Sequence, residues 1–592
     1  MEAWFDEQVS AQMEAGHIPG VAVAIVKDGQ VLITKGYGYS DLEQKTLVDP
    51  EQTLFRIDSI TKLFTWTAVM QLMEQGKLDL DADANTYLDF EIPAAFEQPI
   101  TLRYLMAHTA GFEDRNFETL ASTPDKLAPL GVWLRTRMPA RVRQPGELSA
   151  YSNYGVALAG YIVERVSGKS YQSYISENIL QPLGMTHSSS LQPLPANLAS
   201  SVSKGYTWQN GEFQAGEFLL HQYGPAAAMS ATASDMARFM IAHLEHGSYE
   251  GIPILQDATV RQMHSHLFAH DSRMNGFAYG FIEMNQNGLR VIGHTGSSPI
   301  SQNILALVPD QNLGLFFVYN ATGGWLNEKL LEAFLDEYLP GDAPVLTAPG
   351  DLDHASQVTG YYRSTRSSST TLEKIQRLFS PFHLSATADG RLLYSAQGKL
   401  TEYEEVAPLV FQSVEGDDFL IVRLDEQGHP THLFHNGTPI RAYNRLAWHE
   451  NPVLHYAILG MSILVILLAL PMSRVRTMAN RKTGTSQHAM EKLAWRMLLL
   501  QAFLALISVP IIGIGFINMT PFIQGEVTHI RVALVIPILM TALTIFMIGS
   551  TVLVWQRSYW GRGLRIYYTT ATVASLLFVW FFNYWNLLGW NF

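Results

Sequence analysis

The chain contains 592 residues with a formal net charge of −13, and 16% of its residues are charged. This length provides for several domains, and the excess of acid excludes nucleic acid as the main partner, because nucleic-acid-binding proteins concentrate positive charge on a face. The chain has no cysteine, which excludes disulfide scaffolds, thiolate metal sites and cysteine nucleophiles.

Residues 1–342 predict an α+β domain. Residues 4–14 have the pattern of an amphipathic helix, and residues 20–41 predict two strands joined at Lys27-Asp28-Gly29, since Asp-Gly favours a tight hairpin. A helix-rich stretch follows, and strand patterns then return in the runs LRVIGHTGS, NILALVPD and LGLFFVYNAT. Strands followed by helices and again by strands indicate an antiparallel sheet with a helical domain.

A second, smaller β domain is predicted after a short linker. Residues 343–350, APVLTAPG, are typical of a linker. Residues 351–448 contain short alternating runs such as HLSATADGRLLYSA and FLIVRLDEQGHPTHLFH. The alternation predicts a small antiparallel β-barrel.

The last part of the chain, residues 453–592, predicts a four-helix transmembrane bundle. Each helix corresponds to a run without Asp, Glu, Lys or Arg that reaches the ~20 residues needed to cross a bilayer. The runs cover about residues 453–472, 497–519, 532–555 and 566–590.

Loop charge predicts the orientation of these helices. The first and third connections are basic, and basic loops remain in the cytoplasm. An even number of crossings then leaves the acidic first 450 residues outside. The amino-terminal sequence MEAWFDEQVSAQME has neither a basic region nor an apolar core, so we expect that an export signal is missing from this chain.

The first chemical motif is Ser59-Ile60-Thr61-Lys62, directly before a run typical of a buried helix. Residues three positions apart share a helical face, so Lys62 can reach Ser59. A serine becomes a good nucleophile when a neighbouring base takes its proton. A second copy, Ser201 to Lys204, precedes a polar stretch with no apolar helix to bury it and is rejected.

Two further motifs follow in chain order. Tyr151-Ser152-Asn153 offers a phenol that can relay a proton and an amide that can bind a substrate amide. His294-Thr295-Gly296 follows the strand pattern LRVIG, where a glycine lets a substrate backbone approach the strand.

Other polar residues are expected to be structural. We interpret His108 as a structural histidine and Glu113 to Arg115 as a solvated loop. The histidines at 264, 266 and 270 have one spacing of four residues but lack the glutamate of a zinc-protease motif. We therefore expect neither a metal nor another cofactor.

With these three motifs, the first 340 residues resemble the serine β-lactamase/penicillin-binding-protein superfamily, and in particular its class C β-lactamase-like members. The stretches IPGVAVAIVKDG, FRIDSITKLFT, ITLRYLMAHTAGFED and PGELSAYSNYG are similar to that branch. The predicted barrel resembles the lipocalin-like domains attached to some peptidases of the superfamily.

The resemblance implies a role for each motif residue. Ser59 would be the acylated nucleophile, with Lys62 and Tyr151 sharing the proton transfers. The substrate would be bound by Asn153, His294, Thr295 and Gly296, and the backbone N–H groups of Ser59 and Ser297 would form the oxyanion hole. This chain has His294 where most β-lactamases have lysine, and a neutral histidine attracts a substrate carboxylate less than a lysine does.

The resemblance also implies a function. We expect a multi-pass protein of the bacterial cytoplasmic membrane whose outward-facing serine hydrolase cleaves peptide-like amides next to a D-amino acid, similar to the membrane-bound prodrug-activating peptidases. β-Lactamase, D-Ala-D-Ala carboxypeptidase and esterase activities remain alternatives. A sensor that binds a β-lactam or a cell-wall peptide without turnover is an alternative of another class. The expected partners are the small substrate and membrane lipid, and the sequence leaves the oligomeric state open.

Overall fold

The computed structural model describes residues 1–322, 326–341, 352–396, 399–416, 418–483, 488–517 and 519–592. The predicted linker 343–350 lies outside them. The chain divides into two compact units. The first comprises Met1–Asp114, Thr119–Thr359 and Leu384–Tyr443, and the second comprises Arg115–Glu118, Gly360–His383 and Asn444–Phe592.

An antiparallel sheet forms the centre of the first unit. Among the described residues it has nine strands, and chain-distant segments meet in its middle. Their spatial order is His266–Phe268, Phe277–Ala278, Ile282–Glu283, Ile292–Ser298, Ser301–Val308, Leu313–Tyr319, Gly20–Lys27, Gln30–Asp41 and Thr46–Leu47. The predicted hairpin between the strands at 20–27 and 30–41 is confirmed, with Asp28 and Gly29 at positive φ in its turn.

The central strands are buried on both faces. Alternate residues of a strand point to opposite sides of the sheet, and other elements of the unit cover each side. Val21, Val23 and Phe317 pack with Phe5 and Phe334 of two helices on one face. The small side chains of the same first strand pack with the helical part of the unit on the other face. This double coverage explains why the strand GVAVAIVK is hydrophobic from Val21 to Val26.

Along the chain, the helices of the first unit come before, between and after the strands of the sheet. The helix Thr61–Glu74 is enclosed over most of its length, since its residues from Thr61 to Leu72 are all buried. The helices are Glu2–Gly16, Thr61–Glu74, Leu102–Met106, Leu130–Thr136, Asn153–Ser167, Tyr171–Ile175, Ala196–Ala199, Gly224–Ala227, Ala233–Leu244, Asp257–His264 and Leu326–Tyr338.

A closed β-barrel follows, as the alternating runs predict. In the described part of the chain it has eight strands, which neighbour one another in chain order. They are Gly360–Ser364, Phe382–Ala386, Leu392–Ala396, Lys399–Ala407, Val410–Ser413, Phe419–Leu424, Pro430–His435 and Tyr443–Arg445.

Long apolar helices make up most of the second unit. Within the described residues, four helical stretches are long and apolar enough to cross a membrane, namely Pro452–Ala479, Ala489–Gly513, Thr528–Gln556 and Arg562–Tyr584. Polar side chains on these helices bond to one another: Ser550 Oγ lies 2.7 Å from the Tyr568 hydroxyl, and Gln501 Nε2 donates to Thr544 Oγ1 at 3.2 Å. Such bonds satisfy polar groups that lipid cannot.

The sheet core gives a first testable prediction. Phe317 is fully buried, and its ring centroid lies 6.0 Å from that of Phe5. We expect Phe317→Ala to destabilise the first unit by about 3–5 kcal/mol, because it removes buried contacts and leaves a cavity. Leu32→Ala is the control, since Leu32 is 48% exposed on a neighbouring hairpin strand. Thermal unfolding of the detergent-purified protein measures both, and equal losses would contradict the assignment of Phe317 to the core.

Candidate active site

The first motif forms a buried serine–lysine pair. Ser59 lies in the short 3-10 helix Asp58–Ile60, which leads directly into the helix Thr61–Glu74. Lys62 is in the first turn of that helix, is fully buried and donates from Nζ to Ser59 Oγ at 2.9 Å. It also donates to the carbonyl oxygen of Ala226 at 2.7 Å. The structure thus brings the amine onto the hydroxyl.

Tyr151 lies against this pair. It is 7% exposed, and Lys62 Nζ is 4.8 Å from the centroid of its ring. Ser152 caps the helix Asn153–Ser167 by accepting a hydrogen bond at Oγ from the Gly155 amide at 3.0 Å, which fixes the chain just after Tyr151. Asn153 Oδ1 has no hydrogen-bond partner among the described residues. That oxygen is therefore available to accept a hydrogen bond from a substrate amide.

His294 faces Tyr151 from the strand Ile292–Ser298, with 6.0 Å between the ring centroids. Its Nδ1 lies 2.6 Å from the Thr295 carbonyl oxygen, which assigns the ring proton to Nδ1. Burial, together with the positive charge of Lys62, lowers the pKa of His294 to about 3. The imidazole is therefore neutral at neutral pH, and its Nε2 has no partner among the described residues.

Gly296 lets the same strand lie against the segment that carries Ser59. A Cβ added at Gly296 would overlap Asn303 Oδ1 and would lie 2.5 Å from the Ile57 carbonyl oxygen. Thr295 beside it is half-buried and Ser297 is exposed, so the strand emerges from the core at this point. The third motif therefore adjoins the first, as a shared substrate cleft requires.

Asp58 is a buried acid next to Ser59 that the three motifs do not include. It is 2% exposed and has φ of 43°. Burial raises the pKa of Asp58 to about 7, and the nearby Arg56 guanidinium opposes that shift. Asn303 Nδ2 contacts Asp58 Oδ2 at 3.4 Å. No periodicity or spacing marks this residue, because its burial results from segments distant in the chain.

His108, which we interpret from the sequence as structural, lies directly beside Tyr151. Its ring centroid lies 4.3 Å from that of Tyr151, and its Nδ1 accepts a hydrogen bond from the Ser152 amide at 3.1 Å. The expectation of a solvated loop at 113–115 is wrong for Glu113, which is 1% exposed and whose amide donates to the Ala140 carbonyl.

The three histidines weighed as metal ligands have separate partners. His264 packs against the His243 ring, and His266 Nδ1 lies 3.1 Å from the Glu283 carboxylate. His270 Nε2 accepts a hydrogen bond from the Ser149 amide at 3.0 Å. In the part of the chain that the structure describes, no group of three or more His, Cys, Asp or Glu residues is arranged to hold a metal ion.

The fold and this arrangement define a class of proteins. A serine with a buried lysine at its side, a tyrosine against the lysine and an antiparallel strand beside them are the features of serine-hydrolase-like proteins of the β-lactamase and penicillin-binding type. A sequence profile of the family Beta-lactamase matches residues 5–336, which is more than half of the chain. The chain belongs to the beta-lactamase family.

Curated relatives agree with this assignment. Protein flp of Staphylococcus aureus (strain MRSA252) is 30% identical over 332 residues, which make up 55% of this chain and 64% of that protein. The putative penicillin-binding protein PbpX of Bacillus subtilis (strain 168) is 33% identical over 182 residues, or 31% of this chain and 44% of that protein. The matched region thus spans just under two thirds of the staphylococcal relatives.

A solved structure shows the same fold over a larger part of the chain. The crystal structure of SurE matches with a TM-score of 0.54 and 22% sequence identity, covering 75% of this chain and 98% of that protein. Since the match extends well beyond residue 336, it includes more than the family domain.

The buried Asp58 predicts a pH dependence of stability. Its folded pKa of about 7 exceeds the ordinary aspartate value of about 3.9, so the folded state holds the proton more tightly. Its contribution to stability is therefore complete below pH ~4 and is lost as the pH rises to about 7. Asp58→Asn keeps a residue that tolerates positive φ but cannot ionise. Between pH 4.5 and 7.5, the melting temperature of the wild type should fall relative to this variant, and a constant difference would contradict the assignment.

The neutral state of His294 predicts how the activity depends on pH. With a pKa of about 3, this imidazole does not titrate between pH 5 and 9. We expect His294→Gln to lower kcat/KM for an ester or amide substrate while leaving the midpoints of its pH profile unchanged. Loss of a limb near pH 6–7 in the variant would instead identify His294 as the titrating group.

Proposed function

We propose that this protein is a membrane-anchored serine hydrolase that cleaves peptide-like amide bonds, next to a D-amino acid, outside the cytoplasm. The observation that carries the proposal is the 2.9 Å hydrogen bond between Lys62 Nζ and Ser59 Oγ, with the Tyr151 ring against the same amine. A hydroxyl held by a buried amine in a cleft is arranged for nucleophilic attack.

The reaction follows from the roles of these groups. Ser59 Oγ attacks the substrate carbonyl while its proton passes to the Lys62 and Tyr151 pair. The backbone N–H groups of Ser59 and Ser297 stabilise the oxyanion. The tetrahedral intermediate collapses to an acyl-enzyme as the proton passes to the leaving amine. Water then attacks the ester, and its proton returns to Ser59 as the acid product leaves.

His294 favours substrates without a carboxylate at its position. A lysine at this position would supply a cation, whereas a neutral imidazole supplies a hydrogen-bond acceptor at Nε2 and no charge. A carboxylate loses solvation when it enters a buried site, and the neutral imidazole supplies no charge to replace that solvation. This supports amide or ester substrates over β-lactams and over peptides bound through a free carboxylate. β-Lactamase, D-Ala-D-Ala carboxypeptidase and esterase activities are the alternatives.

The membrane anchor is supported by the four apolar helical stretches, and the orientation by loop charge. Basic residues cluster in the connection between the first two stretches, in the connection between the last two, and in the helix ends beside them. These residues are Arg474, Arg476, Arg481, Lys482, Lys492, Arg496, Arg557, Arg562 and Arg565. By the positive-inside rule, this charge supports cytoplasmic loops and a hydrolase outside a bacterial inner membrane.

A panel of substrates tests the proposal. The detergent-purified protein is incubated with N-acyl-D-aminoacyl amides, a D-Ala-D-Ala peptide, a β-lactam and a simple ester, and products and intact-protein mass are read by LC–MS. D-Leucine peptides belong in the panel because one SurE structure contains D-Leu. We expect turnover of an amide and a fall of ~10³-fold or more in Ser59→Ala and in Lys62→Ala, since both remove a group that acts in the transition state.

The second Ser-x-x-Lys copy provides the matched control. Lys204 forms ion pairs with Asp41 at 3.1 Å and with Glu43 at 2.8 Å, so it is engaged away from Ser201. Ser201→Ala should therefore retain wild-type turnover. A stable adduct on Ser59 without turnover would favour the sensor function, and full activity in Ser59→Ala would exclude Ser59 as the nucleophile.

A further inference from the structure

The segment that carries Tyr151 is bonded along its length to the last loop of the β-barrel. Tyr151 N–H donates to the Ile440 carbonyl at 3.0 Å, and Ser149 Oγ donates to the Pro439 carbonyl at 2.7 Å. Between them, Ala150 forms an antiparallel bridge with Arg441. Three consecutive residues before the Asn153–Ser167 helix thus each contact the barrel loop, which we define as residues 436–442. Both segments belong to the first compact unit.

His270 provides a second connection between the same two parts. Its Nε2 accepts the hydrogen bond from the Ser149 amide, and its ring stacks on Phe434 of the barrel with centroids 4.5 Å apart. Its carbonyl oxygen accepts a hydrogen bond from Arg423 Nη2 at 2.9 Å, and the Arg423 guanidinium lies over the Phe434 ring. Burial lowers the pKa of His270 to about 3, so Nε2 retains the lone pair that this hydrogen bond needs.

The four backbone amides from Ser149 to Ser152 all donate hydrogen bonds, and their acceptors fall into two groups. The amides of Ala150 and Ser152 donate to the carbonyl oxygen and Nδ1 of His108. The amides of Ser149 and Tyr151 donate to His270, which is stacked on the barrel, and to the barrel loop itself. The main chain at Tyr151 is therefore held from both sides, and one side depends on the barrel.

Apolar contacts fix the loop in this position. Ile440 packs against the buried cluster of Ala107, Phe277 and Ile282, and Ala107 immediately precedes His108. Asn436 Oδ1 also accepts a hydrogen bond from the Asn275 amide at 2.9 Å. The loop is thus attached at its start, its middle and its end, as a rigid support for Tyr151 would be.

We propose that the barrel loop 436–442 and His270 form a positioning element for Tyr151, so that the barrel takes part in catalysis by holding this residue in register with Ser59 and Lys62. The inference rests on the proposed catalytic function of Tyr151. A shift of ~1 Å in a group that transfers a proton lowers a rate by up to ~10²-fold, while substrate binding elsewhere in the cleft is unaffected. A barrel that only separates the hydrolase from the bilayer would have no such effect.

Two substitutions at His270 separate its hydrogen bond from its packing. His270→Phe keeps a ring on Phe434 but removes the acceptor for the Ser149 amide, whereas His270→Gln keeps an acceptor oxygen and loses the ring. In the full-length protein, we expect His270→Phe to lower kcat about 10- to 100-fold with KM within about threefold of the wild type. His270→Gln should recover most of that loss. His429→Phe, at a barrel histidine whose side chain is 73% exposed, is the matched control and should retain wild-type kcat.

A change on the barrel itself completes the test. Ile440→Gly removes the side chain that packs on the cluster containing Ala107 and loosens the loop. Glu426→Gly is its control, because it also introduces a glycine, but at an exposed position of the barrel. We expect kcat to fall about 10-fold or more in Ile440→Gly and to stay unchanged in Glu426→Gly. If His270→Phe fails to fold, Ser149→Ala, which removes the bond from Ser149 Oγ to Pro439, takes its place with an expected fall of a few fold. The melting temperature of each variant identifies such a failure.

The rate at which a fluorophosphonate labels Ser59, read by intact mass, provides a readout independent of substrate. Reduced labelling in His270→Phe and in Ile440→Gly supports the positioning function even where no member of the panel is turned over, so the two proposals fail separately. Wild-type kcat and labelling in both variants would overturn the inference. Equal losses in His270→Phe and His270→Gln would also overturn the assigned role of the His270 hydrogen bond.

Discussion

The burial of the Lys62 amine is the constraint on which the rest of the site depends. A fully buried amine is tolerated only where its hydrogen bonds are made within the protein, and here Ser59 Oγ and the Ala226 carbonyl make them. Thr65 lies on the same helix as Lys62, and its hydroxyl donates to the Pro225 carbonyl at 2.6 Å. This bond also attaches the short helix Gly224–Ala227, which carries Ala226, to the helix of Lys62. The packing of the core around this helix therefore also determines the geometry of the serine–lysine pair.

Tyr151 is positioned in a different way. Lys62 is held by a helix and its packing, whereas Tyr151 stands just before a helix, where its backbone amide has no partner from that helix. The partners of this stretch come from His108 on one side and from the barrel loop and His270 on the other. In the proposed proton relay, a residue placed by local structure thus meets a residue placed by chain-distant contacts, and the precision of the relay depends on those contacts.

The sequence predicts local features of this protein well. The contact of Ser59 with Lys62 follows from a spacing of three residues, the first hairpin from Asp28-Gly29, and the four apolar helical stretches from composition. It does not predict contacts that depend on distant segments. The bond between Ser149 and Pro439 joins residues 290 positions apart, and no pattern in either segment marks it. The burial of Asp58 has the same origin, since an acid before a serine gives no local signal of its surroundings.

Electrostatics completes the description of the cleft. His294 is neutral because it is buried beside Lys62, and a second cation at that position would face the first in a medium of low dielectric constant. The neutral ring leaves the acceptors His294 Nε2 and Asn153 Oδ1, neither of which has a partner among the described residues. Uncharged acceptors pair with N–H groups better than with anions, because a carboxylate would be desolvated opposite their lone pairs. In the proposed function, a histidine where most β-lactamases have lysine therefore favours a neutral amide over an anionic substrate.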